Sequence, residues 1–133
     1  FGDDWNTKDG TCIRDFIHVM DLAEAHLNTL NYIKKQKPRH LILNIGSGEG
    51  TSLLELINTF QEVNKVKISY RFIPRRLGDI EKMFANSKLS KKLLGWSPKR
   101  TIKTMCIDSW KWTNKNPNGF LDIKSLKSKK KIY

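Results

Sequence analysis

Cysteine is scarce in this chain of 133 residues, which has only Cys12 and Cys106 and no Asn-x-Ser/Thr sequon. Two cysteines cannot build the disulfide framework of a small secreted domain, so we expect a reducing, cytoplasmic setting. The three histidines do not form a paired metal-ligand spacing with either cysteine, so we expect no metal site. Long apolar runs are also missing, because a membrane-spanning helix requires ~20 such residues and the runs here are far shorter.

Acidic residues are few, with 13 Asp and Glu against 25 Lys and Arg, which gives a net charge of +12. A basic body can bind phosphates, nucleic acid or an anionic surface. Hydrophobic residues make up 38% of the chain, which excludes a fully disordered protein, and the length suits one compact domain. Residues 122–133 are rich in lysine and predict a disordered basic tail. Because the chain begins with Phe1 rather than Met, we expect it to be a piece of a longer protein.

The first half of the sequence predicts a loop, a helix and a buried strand. The N-terminal loop is rich in Asp, Asn and Gly, and an extended piece follows around Arg14 to His18. Asp21 is the expected N-cap of a helix that runs to about Gln36 and ends before Pro38. The apolar positions of this helix recur at helical spacing, and they are Leu22, Ala23, His26, Leu27, Leu30 and Ile33. The run from His40 to Ile45 is short and apolar, which favours a buried parallel strand.

The second half continues the alternation of helices and strands. Thr51 or Ser52 is the expected N-cap of a second helix, with Glu55 near the capping-box position. Its buried stripe is predicted to be Leu53, Leu56, Ile57, Phe60 and Val63. Lys67 to Ile73 alternates in polarity and predicts a half-buried strand. Two helices follow, a short one from Lys88 to Leu94 and a last one from about Thr101 to Asn114. The inner face of the last helix is predicted to be Ile102, Met105, Cys106, Trp110 and Thr113. This order predicts an α/β fold.

A glycine-rich turn, residues 46–50 with the sequence GSGEG, connects the predicted buried strand to the second helix. A dinucleotide fingerprint needs G-x-G-x-x-G, but Thr51 occupies the place of the third glycine. The acidic residue expected ~20 positions later to hold a ribose is also missing. The turn resembles the first motif of methyltransferases that use S-adenosylmethionine, although Asn44 stands where that motif has an acidic residue. We therefore favour a glycine-rich connection without a cofactor.

Two groups of arginine and carboxylate residues are candidate binding sites. Arg14 and Asp15 lie between a turn and a helix, whereas Arg75 and Arg76 precede Asp79 on a loop. A diphosphate requires cations and a ribose diol requires a carboxylate acceptor, and these residues would supply both. The alternative is that Arg14 and Asp15 form a local ion pair, which contributes little when it is exposed.

No catalytic pair accompanies these groups in the sequence. Ser47 and Ser52 have no neighbouring histidine, and neither tyrosine within the body begins a Tyr-x-x-x-Lys proton-transfer motif. Four aromatic residues offer a stacking surface for nucleic acid, and they are Trp96, Trp110, Trp112 and Phe120. The helical spacing of Trp110 and the Gly-Trp-Ser-Pro turn around Trp96 favour packing inside the fold instead.

Several segments together resemble the C-terminal part of UDP-glucose 4-epimerases, NAD-dependent sugar-nucleotide members of the extended short-chain dehydrogenase/reductase family. The most specific segment is FGDDWNTKDGTCIRDFIHVMDLAEAH, which is similar to the family's DGT…RDYIHVxDLAxAH stretch. LNIGSGEGTSLLELI, PRRLGD, KLLGWSPKRTI and WKWTNKNPNGF follow in the family's order and spacing. The resemblance covers about residues 1–121 and implies an α/β fold, consisting of the substrate-binding region with a late strand and helices of the Rossmann sheet.

The resemblance implies a UDP-sugar site. Arg14 and Arg76 match the two arginines that the family places on the UDP diphosphate, and Asp79 matches the carboxylate that meets the ribose. Leu53 matches an apolar residue that lines the uridine site, and Phe1 matches the aromatic position beside the uracil.

Three departures from the family pattern are visible. Phe16 stands where the family usually has Tyr, so a hydroxyl contact is lost. Met83 stands where Tyr or a smaller residue gates the sugar pocket, which leaves the acceptance of an N-acetylated sugar open. Asn86 replaces the usual Asp at a helix start, a mild change because both residues cap helices.

The resemblance also implies what this chain lacks. The family's NAD fingerprint lies at the far N-terminus and its catalytic Tyr-x-x-x-Lys lies mid-chain, so both fall outside this sequence. The whole enzyme is an isomerase of galactose metabolism that interconverts UDP-glucose and UDP-galactose with bound NAD. This chain is expected to bind the UDP-sugar, to hold no NAD and to be inactive alone.

The resemblance implies specific partners as well. With the N-terminal NAD-binding domain absent, we expect the chain to associate with itself through the uncovered His40 to Ile45 segment. We expect neither a membrane nor nucleic acid as a partner. A small basic nucleic-acid-binding module and a fragment of an S-adenosylmethionine methyltransferase are the alternatives.

Overall fold

The computed structural model describes residues 1–37 and 40–119, and within those ranges it contains four helices and three two-residue strands. In chain order they are β1 (Ile13–Arg14), α1 (Val19–Ile33), β2 (Thr51–Ser52), α2 (Leu53–Asn64), β3 (Lys82–Met83), α3 (Lys88–Leu94) and α4 (Ile102–Lys115). The predicted α/β class is confirmed. None of the helices in these ranges is both long and apolar enough to pass through a bilayer. The predicted basic tail, residues 122–133, lies outside the described residues.

β1 occupies the centre of the small sheet, between β2 and β3. It runs antiparallel to β2 and parallel to β3, with Arg14 opposite Met83 in the parallel pair. Two backbone hydrogen bonds flank that pair, from the Ile13 N–H to the Glu81 oxygen (2.9 Å) and from the Asp15 N–H to the Met83 oxygen (3.1 Å). The sheet therefore fixes the segment around Arg14 against the segment around Met83.

The helix starts that depend on local capping agree with the sequence. Ser52 caps α2 and accepts a hydrogen bond from the Glu55 N–H at 3.1 Å. Thr101 caps α4, and α3 has the predicted bounds. α2 packs on α4 through the Phe60 and Trp110 rings, which meet edge to face at 5.7 Å. The predicted inner face of α4 is wrong at Thr113, which is exposed because α4 extends past the helix that covers it.

α1 begins and ends earlier than predicted. His18 rather than Asp21 is its N-cap, with Nδ1 accepting from the Met20 N–H at 3.0 Å, and the helix ends at Ile33 rather than Gln36. Asp21 lies inside the first turn and is fully buried, because its carboxylate has stronger partners outside the helix. It accepts from the backbone N–H groups of Lys99 (3.1 Å) and Arg100 (2.9 Å) and from the Arg100 guanidinium.

The apolar stripe of α1 faces solvent. Leu27 is 60% exposed and Leu30 is 56% exposed, and Val19, Met20 and Ile33 share that exposure. The buried residues of the helix are Asp21 and Ala25, which face the other way. The periodicity correctly predicted a helix with one apolar face, but that face has no cover among the described residues.

Neither strand predicted from apolar pattern forms. The segment from His40 to Ile45 is irregular, and no strand in the described ranges lies beside it to complete a ladder. Hydroxyl groups at the start of α3 contact the end of this segment and the glycine turn instead, since Ser90 donates to the Asn44 oxygen and Ser87, the N-cap of α3, donates to the Gly46 oxygen. Lys67 to Ile73 is also irregular and largely exposed, since the sheet offers it no neighbouring edge.

Candidate functional site

Arg75 and Arg76 are adjacent in sequence, but they point to different partners. The Arg75 Nε lies 2.7 Å from the Asp4 Oδ1, and its guanidinium stacks over the Trp5 ring at 3.9 Å. The Arg76 Nε lies 3.1 Å from the Asp79 Oδ2, and its Nη2 lies 3.3 Å from the Asp79 Oδ1. Arg75 is therefore held by the N-terminal loop, whereas Arg76 makes a bidentate pair within its own loop.

Arg76 also brings together two other residues that the sequence singled out. Its guanidinium lies 4.2 Å from the centre of the Phe1 ring, so Phe1, Arg76 and Asp79 form one cluster. The N-terminal segment is fixed beside this loop by a hydrogen bond from the Gly2 N–H to the Ile73 oxygen (2.7 Å). The Arg76 side chain is 59% exposed, and no acceptor among the described residues meets its Nη1. The cluster thus presents the Phe1 ring and the cationic edge of Arg76 to solvent, beside the Asp79 carboxylate, which is only 19% exposed and is paired with Arg76.

Arg14 and Met83 form a second group. The Arg14 Nη1 donates to the Ile13 oxygen at 2.8 Å and, more weakly, to the Glu81 oxygen at 3.5 Å. Arg14 and Met83 both line an open cavity of about 330 Å³. Since Glu81 is only two residues from Asp79, the chain segment that carries Asp79 continues directly into the strand beside Arg14.

The structure places Phe16 and Leu53 apart from these groups. Phe16 lines a different cavity of about 390 Å³, together with the glycine turn and the residues that lead into α4. Leu53 is the half-buried first residue of α2, and its backbone N–H donates to the Cys12 oxygen at 3.2 Å. Arg14 of β1 lines the cavity of Met83 and Thr51 of β2 lines the cavity of Phe16, so both cavities adjoin the small sheet.

The N–H groups of the glycine turn are used inside the protein. The Asp15 Oδ1 accepts from the Ser47 N–H at 2.9 Å and from the Ser47 hydroxyl, and the Oδ2 accepts from the Gly48 N–H at 3.0 Å. The Oδ2 also accepts from the Ala85 N–H at 3.0 Å. A phosphate-binding turn offers such N–H groups to a ligand, and here a carboxylate of the chain takes that place.

The carboxylate of Asp15 is held as an anion by these donors. Burial raises its pKa, but the hydrogen bonds from Ser47, Ala85 and Gly48 outweigh that effect and leave the pKa below its usual value. Gly46 is needed for this approach, because a Cβ atom there would lie 2.5 Å from the Asp15 Oδ2 and 2.6 Å from the Ala85 Cβ. The interpretation of Arg14 and Asp15 as a local ion pair is wrong, since each has other partners.

Sequence reasoning did not find this role of Asp15. The turn is more than 30 residues away along the chain, so no local spacing connects the carboxylate to its donors. The glycine pattern was partly informative, because its spacing does not match the dinucleotide fingerprint and so argued against a bound nucleotide. Trp96 and Trp110 are packed as expected, since Trp96 is buried and Trp110 contacts Phe60, whereas Trp112 is exposed and Phe120 lies outside the described residues.

Comparison with known proteins gives a consistent family. The model of the NAD dependent epimerase/dehydratase family matches residues 5–46. A UDP-glucose 4-epimerase of Bacillus subtilis is 44% identical over 120 residues, which are 90% of this chain and 35% of that protein. A UDP-glucose 4-epimerase of Drosophila melanogaster is 38% identical over 121 residues, again 90% of this chain and 35% of that protein.

A solved structure leads to the same family. The UDP-glucose 4-epimerase of Bifidobacterium longum in complex with NAD⁺ and UDP superposes with a TM-score of 0.84 at 42% identity, over 90% of this chain and 35% of that one. The chain spans about a third of the length of the relatives it matches. On the strength of these similarities, this chain is a homologue of UDP-glucose 4-epimerases over most of its length, and its residues 5–46 match the NAD dependent epimerase/dehydratase family.

Proposed function

We propose that this chain is the UDP-sugar-binding part of a UDP-glucose 4-epimerase. The observation that carries the proposal is the cluster of Phe1, Arg76 and Asp79, in which an exposed guanidinium contacts both an exposed ring and a half-buried carboxylate. A uridine diphosphate needs a face for its base, a cation for its phosphates and an acceptor for its ribose hydroxyls. The relative from Bifidobacterium longum, solved with UDP, supports the same ligand.

Each residue then has a distinct task. The free edge of Arg76 and the guanidinium of Arg14 hold the diphosphate, because planar guanidinium groups match phosphate oxygens. Asp79 accepts a hydrogen bond from a ribose hydroxyl, and the Phe1 ring lies beside the uracil. Met83, which lines the same cavity as Arg14, limits the sugar end. The resemblance assigns Leu53 to the wall of the uridine and Phe16 to the sugar, although the described structure places both apart from that cavity.

We assign NAD to the part of the enzyme outside this chain, where it would supply the hydride-transfer chemistry. The glycine turn does not fit the pyrophosphate of a dinucleotide, since the Ser47 and Gly48 N–H groups already donate to Asp15. The chain also has no Tyr-x-x-x-Lys motif in its body. By itself it is a binding unit and does not interconvert UDP-glucose and UDP-galactose.

Incubation of the purified chain with UDP-glucose and NAD tests the inactivity. The expected result is no UDP-galactose by product chromatography, while an NMR titration shows saturable shifts with UDP. Formation of UDP-galactose would refute the inactivity, and a titration with no shifts would refute the binding role.

Two alternatives are less well supported by the geometry. A nucleic-acid stacking surface needs several exposed rings, but Trp96 is buried and Trp110 packs edge to face on Phe60, which leaves Trp112 as the one exposed ring of this set among the described residues. An S-adenosylmethionine site would use the glycine turn, whose N–H donors are occupied by Asp15.

The exposed apolar stripe of α1 is the proposed contact with the remainder of the enzyme. Leu27, Leu30 and Ile33 form an uncovered helical face, and Ile42 in the neighbouring segment is 73% exposed. Apolar faces of this kind recruit partners. In the absence of the NAD-binding domain we expect a second copy of the chain to cover them.

A further inference from the structure

We propose that Asp15 is a positioning residue that sets the distance between Arg14 and Met83 in the UDP-sugar site, an inference that rests on the proposed function. Three segments of the chain meet at this one carboxylate: the end of β1, the glycine turn and the residues after β3. Arg14 is the residue before Asp15, and Met83 lies two residues before Ala85.

The register of the sheet shows why the Asp15 side chain can control the distance between Arg14 and Met83. β1 and β3 pair over only two residues each, so the ladder alone gives little rigidity. The Asp15 N–H extends the ladder by donating to the Met83 oxygen at 3.1 Å, and the Asp15 carboxylate then accepts from the Ala85 N–H at 3.0 Å. Asp15 therefore holds both ends of the segment from Met83 to Ala85, with its backbone N–H on Met83 and its carboxylate on Ala85.

The glycine turn supplies the other hydrogen-bond donors to the Asp15 carboxylate. Both oxygens of Asp15 have two donors each, so loss of the carboxylate would leave N–H groups of Ser47, Gly48 and Ala85 without their acceptor. The close approach of Gly46 leaves no room for these segments to slide past one another, because an added Cβ atom would overlap both Asp15 and Ala85. Arg14 and Met83 line the same cavity, and their separation follows from this arrangement.

Asp15→Asn tests the inference, with Asp21→Asn as the matched control. Asp21 is also an aspartate that accepts backbone N–H donors from a distant turn, but its partners, Lys99 and Arg100, line the cavity of Phe16 and not the cavity of Arg14 and Met83. We expect both variants to lose stability, and UDP titrations are compared at a temperature where each is fully folded. Asp15→Asn should weaken UDP binding by about tenfold, and Asp21→Asn by less than about twofold.

Amide hydrogen exchange gives a second readout that needs no ligand. Asp15→Asn should speed exchange at the Gly48 and Ala85 N–H groups selectively, while α2 and α4 stay protected. If Asp15→Asn does not fold, Ser47→Ala removes one donor only and should give a smaller change of the same kind at the same amides. Equal losses of affinity in the Asp15 and Asp21 variants, or unchanged exchange at Ala85, would overturn the positioning role.

The outcomes separate this inference from the proposed function. If the unmodified chain binds no UDP, the proposed function fails, and the exchange at Gly48 and Ala85 still decides whether Asp15 clamps the segments. If the chain binds UDP and Asp15→Asn binds equally well when folded, the proposed function stands and the positioning role fails.

Discussion

At the residue scale, aspartate side chains connect segments of this protein that are distant in the sequence. Asp21 is fully buried and links the first turn of α1 to the residues before α4. Its Arg100 partner also lies 3.0 Å from Glu24, so a single guanidinium serves two carboxylates. A buried charge without its partner is costly, so this link should be one of the most sensitive points of the fold.

Asp21→Asn should lower the free energy of unfolding by about 2 kcal/mol at pH 7, because hydrogen bonds to a charged group are lost. Burial raises the pKa of Asp21, but the Arg100 and Lys99 donors outweigh it and leave the pKa lowered in the folded chain. The stabilisation is therefore complete above the unfolded pKa of about 3.9 and is lost as the pH falls through the lower folded value. Denaturant unfolding at pH 7 and below pH ~3 measures both effects.

Glu62→Gln is the control for this prediction. Glu62 pairs with Lys103 at 3.5 Å on the surface, and both side chains are exposed. Exposed pairs contribute less than about 1 kcal/mol, so this variant should change stability little at either pH. A loss in Glu62→Gln that matches the loss in Asp21→Asn would contradict the special role of the buried carboxylate.

At the scale of elements, α1 is an amphipathic helix whose apolar face is exposed to solvent. One face carries the buried Asp21 and Ala25, and the opposite face carries large apolar side chains exposed to solvent. A helix normally turns such a stripe towards a core. We therefore propose that the stripe of α1 belongs to an interface rather than to the core of this chain.

The double variant Leu27→Gln with Leu30→Gln should reduce self-association and change the stability of the monomer little. Both leucines are more than half exposed, so little buried contact is lost, while glutamine keeps the helix propensity. Light scattering over a concentration series measures the association. Leu77→Gln is the matched control, because Leu77 is fully exposed on a loop away from α1. Association that persists in the double variant would argue against this face.

Elements fixed by local interactions could be predicted, and those fixed by distant partners could not. Ser52 and Glu55 are three residues apart, so their capping contact was visible in the sequence. The His40 to Ile45 segment has the composition of a strand, but a strand forms only beside a neighbour that no local pattern reveals. For the same reason, the role of the Asp15 carboxylate could not be predicted, because its donors come from two other parts of the chain.

At the scale of the whole molecule, the chain accounts for about a third of the length of its relatives. Arg76 is 59% exposed and Arg14 lines an open cavity beside β1, so within the described residues the proposed UDP site is open to solvent. This organisation suits a ligand that is covered from the other side by a second domain. It also means that the affinity of the chain alone should be modest.

UDP should raise the melting temperature of the chain, whereas NAD at the same concentration should not. A ligand that binds only the folded state stabilises it by RT ln(1 + [L]/Kd), about 1.4 kcal/mol at ten times Kd. Differential scanning fluorimetry with UDP, NAD and S-adenosylmethionine compares the three ligands in parallel. An equal shift with NAD would contradict the assignment of that cofactor to the rest of the enzyme.

The central claim is that the cluster of Phe1, Arg76 and Asp79 holds the UDP moiety, and a UDP titration of Arg76→Ala against Arg75→Ala tests it most directly. The two arginines have the same charge and are adjacent, but only Arg76 belongs to the cluster, whereas Arg75 is held by Asp4 and Trp5. A hydrogen bond to a charged group contributes ~1.5–3 kcal/mol, so Arg76→Ala should weaken binding about tenfold or more. Arg75→Ala should remove its exposed contacts with Asp4 and Trp5, but from the ligand it should remove only a long-range attraction that salt at ~0.15 M largely screens. Equal losses, or a larger loss for Arg75→Ala, would contradict this account of the site.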